Sequence, residues 1–254
     1  FEWVLRGNVS FNKNIITKTF YQEFKQVPQK SSLLSENDNV YIQGYSVGAW
    51  LGYDFAGIDP KTGHTLAYAE DGTKVDMDMF NNRTLALKRP PMHYLGEGNP
   101  TTTGGFATEF RYKQWELNAQ FEFQTGHLIP TISSTMNHNY NYSGNRYIAD
   151  QYRWRAVGDV AERPYLGINN TAYDQYRFNT SLEKGDYLRC TYTSLGYRLT
   201  EELCKKLSVR SARIALTASN LFTLTNFKGI DPASMGTLSY PSTRTYSITL
   251  NVGF

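Results

Sequence analysis

The sequence predicts an all-β fold, an antiparallel segment of a transmembrane β-barrel with long extracellular loops. Three observations predict it. First, the last twelve residues alternate strictly: Tyr246, Ile248, Leu250, Val252 and Phe254 share one phase, and Thr243, Thr245, Ser247, Thr249, Asn251 and Gly253 the other. Such alternation gives a strand one apolar and one polar face. Second, the ten steps from Arg244 to Phe254, at ~3.4 Å each and a tilt near 45°, rise roughly 24 Å, against the ~25 Å apolar band of membrane barrels. Arg244 then stands at an interface, where a cation costs ~0–1 kcal/mol rather than the ~2–4 of the midplane. Third, connections between alternating stretches are short and long by turns, as in outer-membrane barrels. A soluble β-sandwich strand alternates in the same way, so a secreted all-β carbohydrate-binding module is the rival fold.

Along the chain, Trp3, Leu5, Gly7, Val9 and Phe11 oppose Arg6, Asn8 and Ser10, with aromatics at both ends of the apolar face, as an interfacial girdle requires. Asn12–Asn14 reads as a turn, and residues 15–44 show no clear pattern. Tyr45, Val47, Ala49, Leu51, Tyr53 and Phe55 resume the alternation. Phe106, Thr108, Phe110 and Tyr112 oppose Glu109 and Arg111. After a tight turn at Lys113, Trp115, Leu117, Ala119, Phe121 and Phe123 oppose Gln114, Glu116, Asn118, Gln120, Glu122 and Gln124. From Gly185 a further strand loses its phase between Tyr192 and Leu195, which predicts a bulge there. Ala212, Ile214, Leu216 and Ala218 face one way before the closing strand.

The expected strands are therefore seven, at about 2–11, 45–56, 104–112, 114–125, 186–199, 208–219 and 243–254. With Phe254 at the periplasmic rim, the short turns at 113 and 200–207 fall inside and the long loops 57–102, 126–184 and 220–242 outside. Residues 12–44 then become an unusually long periplasmic connection. Seven strands cannot close a single-chain barrel, whose strand number is even and at least about eight, and open edges in lipid are prohibitive. Further strands are expected from an amino-terminal part that the chain lacks.

Composition agrees without deciding. Of 254 residues 40% are hydrophobic and mean hydropathy is −0.50, but barrel strands are half polar. No apolar run approaches the ~18–20 residues of a membrane helix, and no secretory leader precedes Phe1, which also suggests an absent amino-terminal part. A net charge of +3 gives no ground for a nucleic-acid partner. Cys190 and Cys204 form no disulfide framework or metal spacing.

Five stretches, in order, resemble the carboxy-terminal part of SusC/RagA-type TonB-dependent outer-membrane transporters. They are Asn8-Val-Ser-Phe-Asn-Lys-Asn-Ile15; Gly44-Tyr-Ser-Val-Gly48 with Tyr53-Asp-Phe-Ala-Gly-Ile-Asp-Pro-Lys-Thr-Gly63; Gly185-Asp-Tyr-Leu-Arg189 with Leu195-Gly-Tyr197; Asn220-Leu-Phe-Thr-Leu-Thr-Asn-Phe-Lys-Gly-Ile-Asp-Pro232; and Tyr240-Pro-Ser-Thr-Arg-Thr-Tyr246. Cys190 departs from the aliphatic residue more usual there, and the segment after Ile15 matches poorly. The resemblance implies a barrel of about 22 strands, with residues 1–254 its carboxy-terminal part and the plug domain and amino-terminal strands absent. It further implies integral residence in a Gram-negative outer membrane, with the carboxy-terminus periplasmic and lipid around the wall. Import of oligosaccharides, glycans or peptides is implied, beneath a SusD-like lipoprotein lid and energised by TonB through the absent plug region.

Site candidates follow. Arg6, Glu109, Arg111, Glu116, Asn118, Gln120 and Glu122 occupy the polar phase and are expected to line the lumen. Glu116 and Glu122 lie six positions apart, ~20 Å along a strand, too far for the ~5–9.5 Å of a glycosidase pair; no enzyme activity and no catalytic residue is expected. His64, His93, His127 and His138 lack ligand spacing, Asp71–Asp78 lacks the EF-hand pattern, and Gly98–Gly105 lacks the Lys of a phosphate loop. No metal or cofactor is expected. In the loop 147–159, Tyr152 and Trp154 could stack on sugar rings, while Asp150, Arg153, Arg155 and Asp159 could bond hydroxyls or a peptide. The plainer reading of that loop is packing on its neighbours or on the lid.

Overall fold

The structure, a computed structural model, describes residues 1–18, 43–77, 92–131, 151–165, 178–234 and 240–254. Within these the strands are β1 (Glu2–Phe11), β2 (Ala49–Gly52), β3 (Phe55–Ile58), β4 (Thr65–Tyr68), β5 (Lys74–Asp76), β6 (His93–Glu97), β7 (Thr102–Tyr112), β8 (Trp115–Thr125), β9 (Leu128–Pro130), β10 (Leu182–Lys184), β11 (Tyr187–Arg198), β12 (Ser211–Thr225) and β13 (Thr245–Gly253). Six long strands form one antiparallel sheet in the order β1-β7-β8-β11-β12-β13. The short ones form three small sheets in the connections, β2–β6, β3–β4–β5 and β9–β10. No helix among the described residues is long and apolar enough to cross a membrane.

The register lines up the phases across the whole wall. One row runs Trp3, Phe110, Leu117, Leu195, Leu216, Ile248, all apolar. The next toward the short turns runs Tyr112, Trp115, Tyr197, Ile214, Leu250, and its aromatic members suit an interfacial girdle. Rings interlock along this face, Trp3 stacked on Phe110 at 5.6 Å and Phe106 on Phe121 at 4.6 Å. No second sheet covers it among the described residues: Leu117, Leu250 and Ile248 are 40%, 65% and 75% exposed. A sandwich would have buried this face, so the sandwich expectation gives way to a single-layered barrel wall. Among the described residues β1 and β13 each pair on one side only, as in a piece of a larger wall.

The structure corrects the strand count. Residues 45–56 are not a wall strand; they divide into β2, paired with β6, and β3, paired with β4. Alternation there is real, but it reports a half-buried strand and not which sheet it joins. Gly48 and Gly57, at φ 85° and 104°, break the run where only glycine turns freely. Its apolar side meets a compact cluster of Tyr53, Ala67, Met77, Met92 and Phe178, with Phe55 and Val75 packed on it. This cluster therefore sits in the loop layer and not on the wall.

With six wall strands among the described residues the parity difficulty vanishes. Residues 12–101, 126–186 and 226–244 all connect strands at one end, while 113–114 and 199–210 connect them at the other. The 113–114 turn places Lys113 at φ 53°. The other short connection carries α1 (Glu201–Lys206), ended by Ser208 at φ 56°. There Val209 N donates to the Cys204 carbonyl and Ser208 N to that of Lys205, both 3.1 Å, a Schellman cap. The bulge on β11 lies between Cys190 and Tyr192, at Thr191, slightly earlier than the sequence predicts. Opposite it on β12 Asn220 adopts φ 51°, so both strands adjust and the apolar phase continues through Phe222 and Leu224.

Candidate functional site

On the opposite face of the wall the structure brings together every residue expected to line a lumen. Arg6 pairs across β7 and β8 with Ala107 and Gln120, Glu109 with Asn118, and Arg111 with Glu116, while Glu122 opposes Gly105 and Arg189. Charges are matched in place. Arg6 meets Glu109 at 2.5 Å, and Arg111 meets Glu2 at 3.1 Å and Glu109 at 3.8 Å. Glu116 receives Arg198 at 2.5 Å and Arg213 at 3.1 Å. Gly196 lies opposite Glu116, on the path that Arg213 takes to it; a Cβ there would come within 2.7 Å of the Arg213 guanidinium. Glycine thus lets Arg213 cross the strand to its carboxylate. Glu116 and Glu122 have separate partners and are not an acid–base pair.

Sequence reasoning did not single out Arg189, the most buried charge on this face among the described residues. It is 5% exposed and Asp231 6%. Its Nη2 donates to Asp231 at 2.5 Å, Nε to Thr223 and Nη1 to Ser242, each 3.0 Å. Asp231 also accepts from the backbone N–H of Ala233 at 3.0 Å and of Ser242 at 3.1 Å. Burial pushes the Asp231 carboxyl up, but the Ser242 and Ala233 amides and Arg189 outweigh it and hold the group below the usual carboxylate range. The pair ties the β12–β13 connection back onto the polar face. The signal available was the repeated Gly-Ile-Asp-Pro, residues 57–60 and 229–232, since Asp before Pro favours a side-chain-capped turn. At the first copy Asp59 bonds Lys61 N at 2.9 Å and Thr62 Oγ1 at 3.0 Å.

The candidate ligand loop is described from Gln151 onward; Asp150 and His138 lie outside the described residues. Trp154 packs on Gly63, where a Cβ would stand 2.6 Å from its ring, and its Nε1 donates to the Pro60 carbonyl at 3.0 Å. Asp159 caps its own turn through Arg155 N and Ala156 N, at 2.9 and 3.0 Å. Arg155 donates to the Gln151 carbonyl at 3.0 Å, and Arg153 pairs with Arg163 in an isolated bridge. Tyr152 is 57% exposed. The loop thus spends Trp154, Arg155 and Asp159 on its own architecture and leaves Tyr152, Val157 and Val160 exposed.

His64 contacts Asp76 at 2.7 Å and His93 contacts Asp54 at 3.2 Å. Asp71 accepts from the Thr73 hydroxyl and amide at 2.6 and 2.9 Å, which lowers its carboxyl pKa. No group of three or more His, Cys, Asp or Glu arranged for a metal occurs among the described residues. His127 is different. It is 2% exposed, neither ring nitrogen has a partner, and Gly185 packs against it, with N–H donated to the His127 carbonyl at 3.0 Å. Burial pushes the ring pKa down, and Asp186 opposes it less strongly. A depressed histidine stabilises the fold above its unfolded value of ~6.5 and loses that contribution as pH falls through the folded value. Protection of the β9 and β10 amides, corrected for intrinsic exchange, is therefore expected to fall below ~pH 6.5. That loss should disappear in His127→Leu; an unchanged pH profile in that variant would refute the assignment.

Comparison with known proteins follows the same outline. No protein-family model matches the chain. Over its whole length it is 23% identical to TonB-dependent receptor P3 of Formosa agariphila, covering 27% of that protein, and 21% identical to TonB-dependent receptor SusC of Bacteroides thetaiotaomicron, covering 24%. The chain thus spans about a quarter of the length of the curated relatives it matches. Among solved structures, the RagAB peptide transporter superposes on 99% of the chain and 27% of its own with a TM-score of 0.74 at 24% identity. Strand order, two-faced wall and relatives agree: the chain is similar along its whole length to TonB-dependent receptors, SusC among them, and has the fold of the matching part of the RagAB transporter.

Proposed function

We propose that this segment forms part of the wall of an outer-membrane importer that draws energy from TonB and works beneath a SusD-like lipoprotein. Its cargo is an oligosaccharide, glycan or peptide, admitted between surface loops and lid and passed along a polar lumen once a plug is displaced. The observation that carries this reading is the wall itself, one layer thick, with exposed apolar side chains on one face and charge-matched side chains on the other. Lipid suits the first face and water the second. The short-turn end, with Phe254, is periplasmic in this reading, and the loop layer is extracellular. Tyr152, Arg153, Trp154, Arg155 and Asp159 belong to the surface that meets cargo or lid, with Tyr152 the side chain placed to touch either. The part played by this chain is conduction and recognition, without catalytic residues of its own.

Fractionation of the producer tests the reading. Recovery from detergent-extracted outer membrane, with gel mobility that changes on boiling, is the expected result; a water-soluble pool overturns it. Charge reversal in the lumen should alter uptake. The double variant Glu116→Lys, Glu122→Lys is expected to change it, but Glu116 is wedged between two arginines, so its reversal also strains the wall. Glu122→Lys alone is cleaner, because that side chain is 44% exposed. Its expected outcome is altered uptake at normal assembly, measured as cargo accumulation per heat-modifiable barrel. Unaltered uptake in both variants would remove these residues from the cargo path.

A further inference from the structure

We propose that the cavity at the loop end of the β1–β7 seam is a saccharide subsite, which holds about one or two sugar rings as cargo enters the lumen. The proposal rests on the import reading above and names the chemistry of one of its contacts. The cavity encloses about 310 Å³, at the small end of the ~300–1,000 Å³ usual for ligand pockets. Asn12 and Thr101 belong to its lining. They follow Ser10 and Thr103 in the polar phase and are joined by Asn12 N donating to the Thr101 carbonyl at 2.8 Å. The cavity therefore lies at the loop end of the polar face, the end at which cargo enters in the import reading.

Its wall is an aromatic plate held rigidly. Tyr94 stacks on Tyr45 at 5.6 Å, its hydroxyl donates to Glu97 Oε1 at 2.8 Å, and it keeps 39% exposure. Ser46, 5% exposed, donates to the other oxygen of the same carboxylate. Burial, then Glu97, pushes the Tyr94 hydroxyl up to about 12, so it remains a donor and fixes both groups. Asn14 accepts from Val47 N at 2.7 Å through its carbonyl oxygen, and Asn99 donates to the Val47 carbonyl at 2.8 Å through its amide nitrogen. Each asparagine thus keeps the complementary half of its amide for a ligand. An aromatic face edged by amide groups, with Lys13 and the engaged Glu97 carboxylate also on the lining, suits a ring bearing hydroxyls, which both give and accept hydrogen bonds.

A peptide is the poorer fit. Extended peptides are gripped chiefly by main-chain bonds to an open strand edge. Here the nearby backbone is already engaged: Ile16 N bonds the Tyr45 carbonyl, Gly44 N that of Ile16, and Gly98 N that of Gly48. What remains for a ligand is side-chain chemistry.

Binding to the full-length transporter in detergent tests this, with maltohexaose, laminarihexaose, xylohexaose and a tryptic digest of casein as probes. At least one hexasaccharide should bind saturably, and Tyr94→Ala should weaken it roughly tenfold by removing the ring. Tyr94→Phe, which keeps the ring, should bind nearly as wild type. Asn12→Ala guards against misfolding of the tyrosine variant, because Asn12 is exposed and contributes only its backbone to the fold; it should weaken the same saccharide a few-fold. Failure of all three hexasaccharides to bind, or binding unchanged in both Tyr94→Ala and Asn12→Ala, overturns the subsite. So does selective binding of the casein digest that Tyr94→Ala weakens. Uptake measured alongside separates the two readings: TonB-dependent uptake with unchanged binding removes the subsite alone, whereas uptake independent of TonB removes the import reading.

Discussion

Ile248→Arg is expected to prevent stable assembly of the barrel, whereas Ser247→Arg, one residue away, is expected to assemble nearly as wild type. Ile248 lies in the middle of β13, opposite Leu216, and is 75% exposed on the apolar face. In hydrocarbon, an arginine near the midplane costs ~2–4 kcal/mol, a large share of the ~5–15 kcal/mol by which folded proteins are typically stable. Ser247, opposite Thr217 on the polar face, would hold the same guanidinium in water at little cost. Refolding into lipid vesicles, read as the fraction of heat-modifiable barrel, compares the two. In a soluble protein both arginines would sit in solvent and be tolerated alike, so equal yields would sink the membrane assignment. The contrast between adjacent residues removes differences in side-chain size and strand propensity from the comparison.

What the sequence made legible was the wall, because one apolar and one polar face impose period two directly. β1, β7, β8, β11, β12 and β13 all announce themselves through that alternation, and the seven residues expected on the polar face do share it. The extra strand at 45–56 shows the limit of the same signal. Tyr53 and Phe55 alternate because they cover a small core with Phe178, and periodicity does not distinguish a protein core from lipid. The bulge at Thr191 was half legible: the phase slip was visible, but its position depends on how β12 compensates at Asn220.

Site chemistry was less legible because its partners are distant in sequence. Arg189 reads as an ordinary polar-phase residue until the β12–β13 connection returns Asp231 to it, 42 residues on. Trp154 reads as a stacking platform, but the structure sets it on Gly63, with its indole N–H spent on Pro60. The Tyr94 cavity draws on three segments, around Asn12, Tyr45 and Glu97, none of which stands out alone. Composition can nominate aromatic and polar residues for binding; only tertiary pairing shows which atoms are left unspent.

Asp231→Ala is expected to destabilise the β12–β13 connection by ~3–5 kcal/mol, the usual cost of leaving one member of a buried ion pair alone. Both side chains are 7% exposed, too little for water to replace the lost carboxylate. Glu122, 3.9 Å from Arg189, offers a weaker second partner, which places the expected loss nearer ~3 kcal/mol. Protease cleavage within residues 226–244 of the assembled barrel should rise accordingly, while the wall remains intact. The double variant Arg189→Met, Asp231→Leu should recover most of the loss, since an apolar pair of similar volume often equals a buried ion pair. Acid should mimic the single variant. The folded Asp231 pKa lies below the usual carboxylate range, so its contribution is complete above the unfolded value of ~3.9 and lost as pH falls through the folded one. If Asp231→Ala changes cleavage no more than an exposed substitution such as Lys228→Ala, or if the double variant is as labile as the single, the pair does not hold the connection to the polar face. Recovery in the double variant would show instead that the pair is a fastening between two surfaces, replaceable by any contact that leaves no charge stranded.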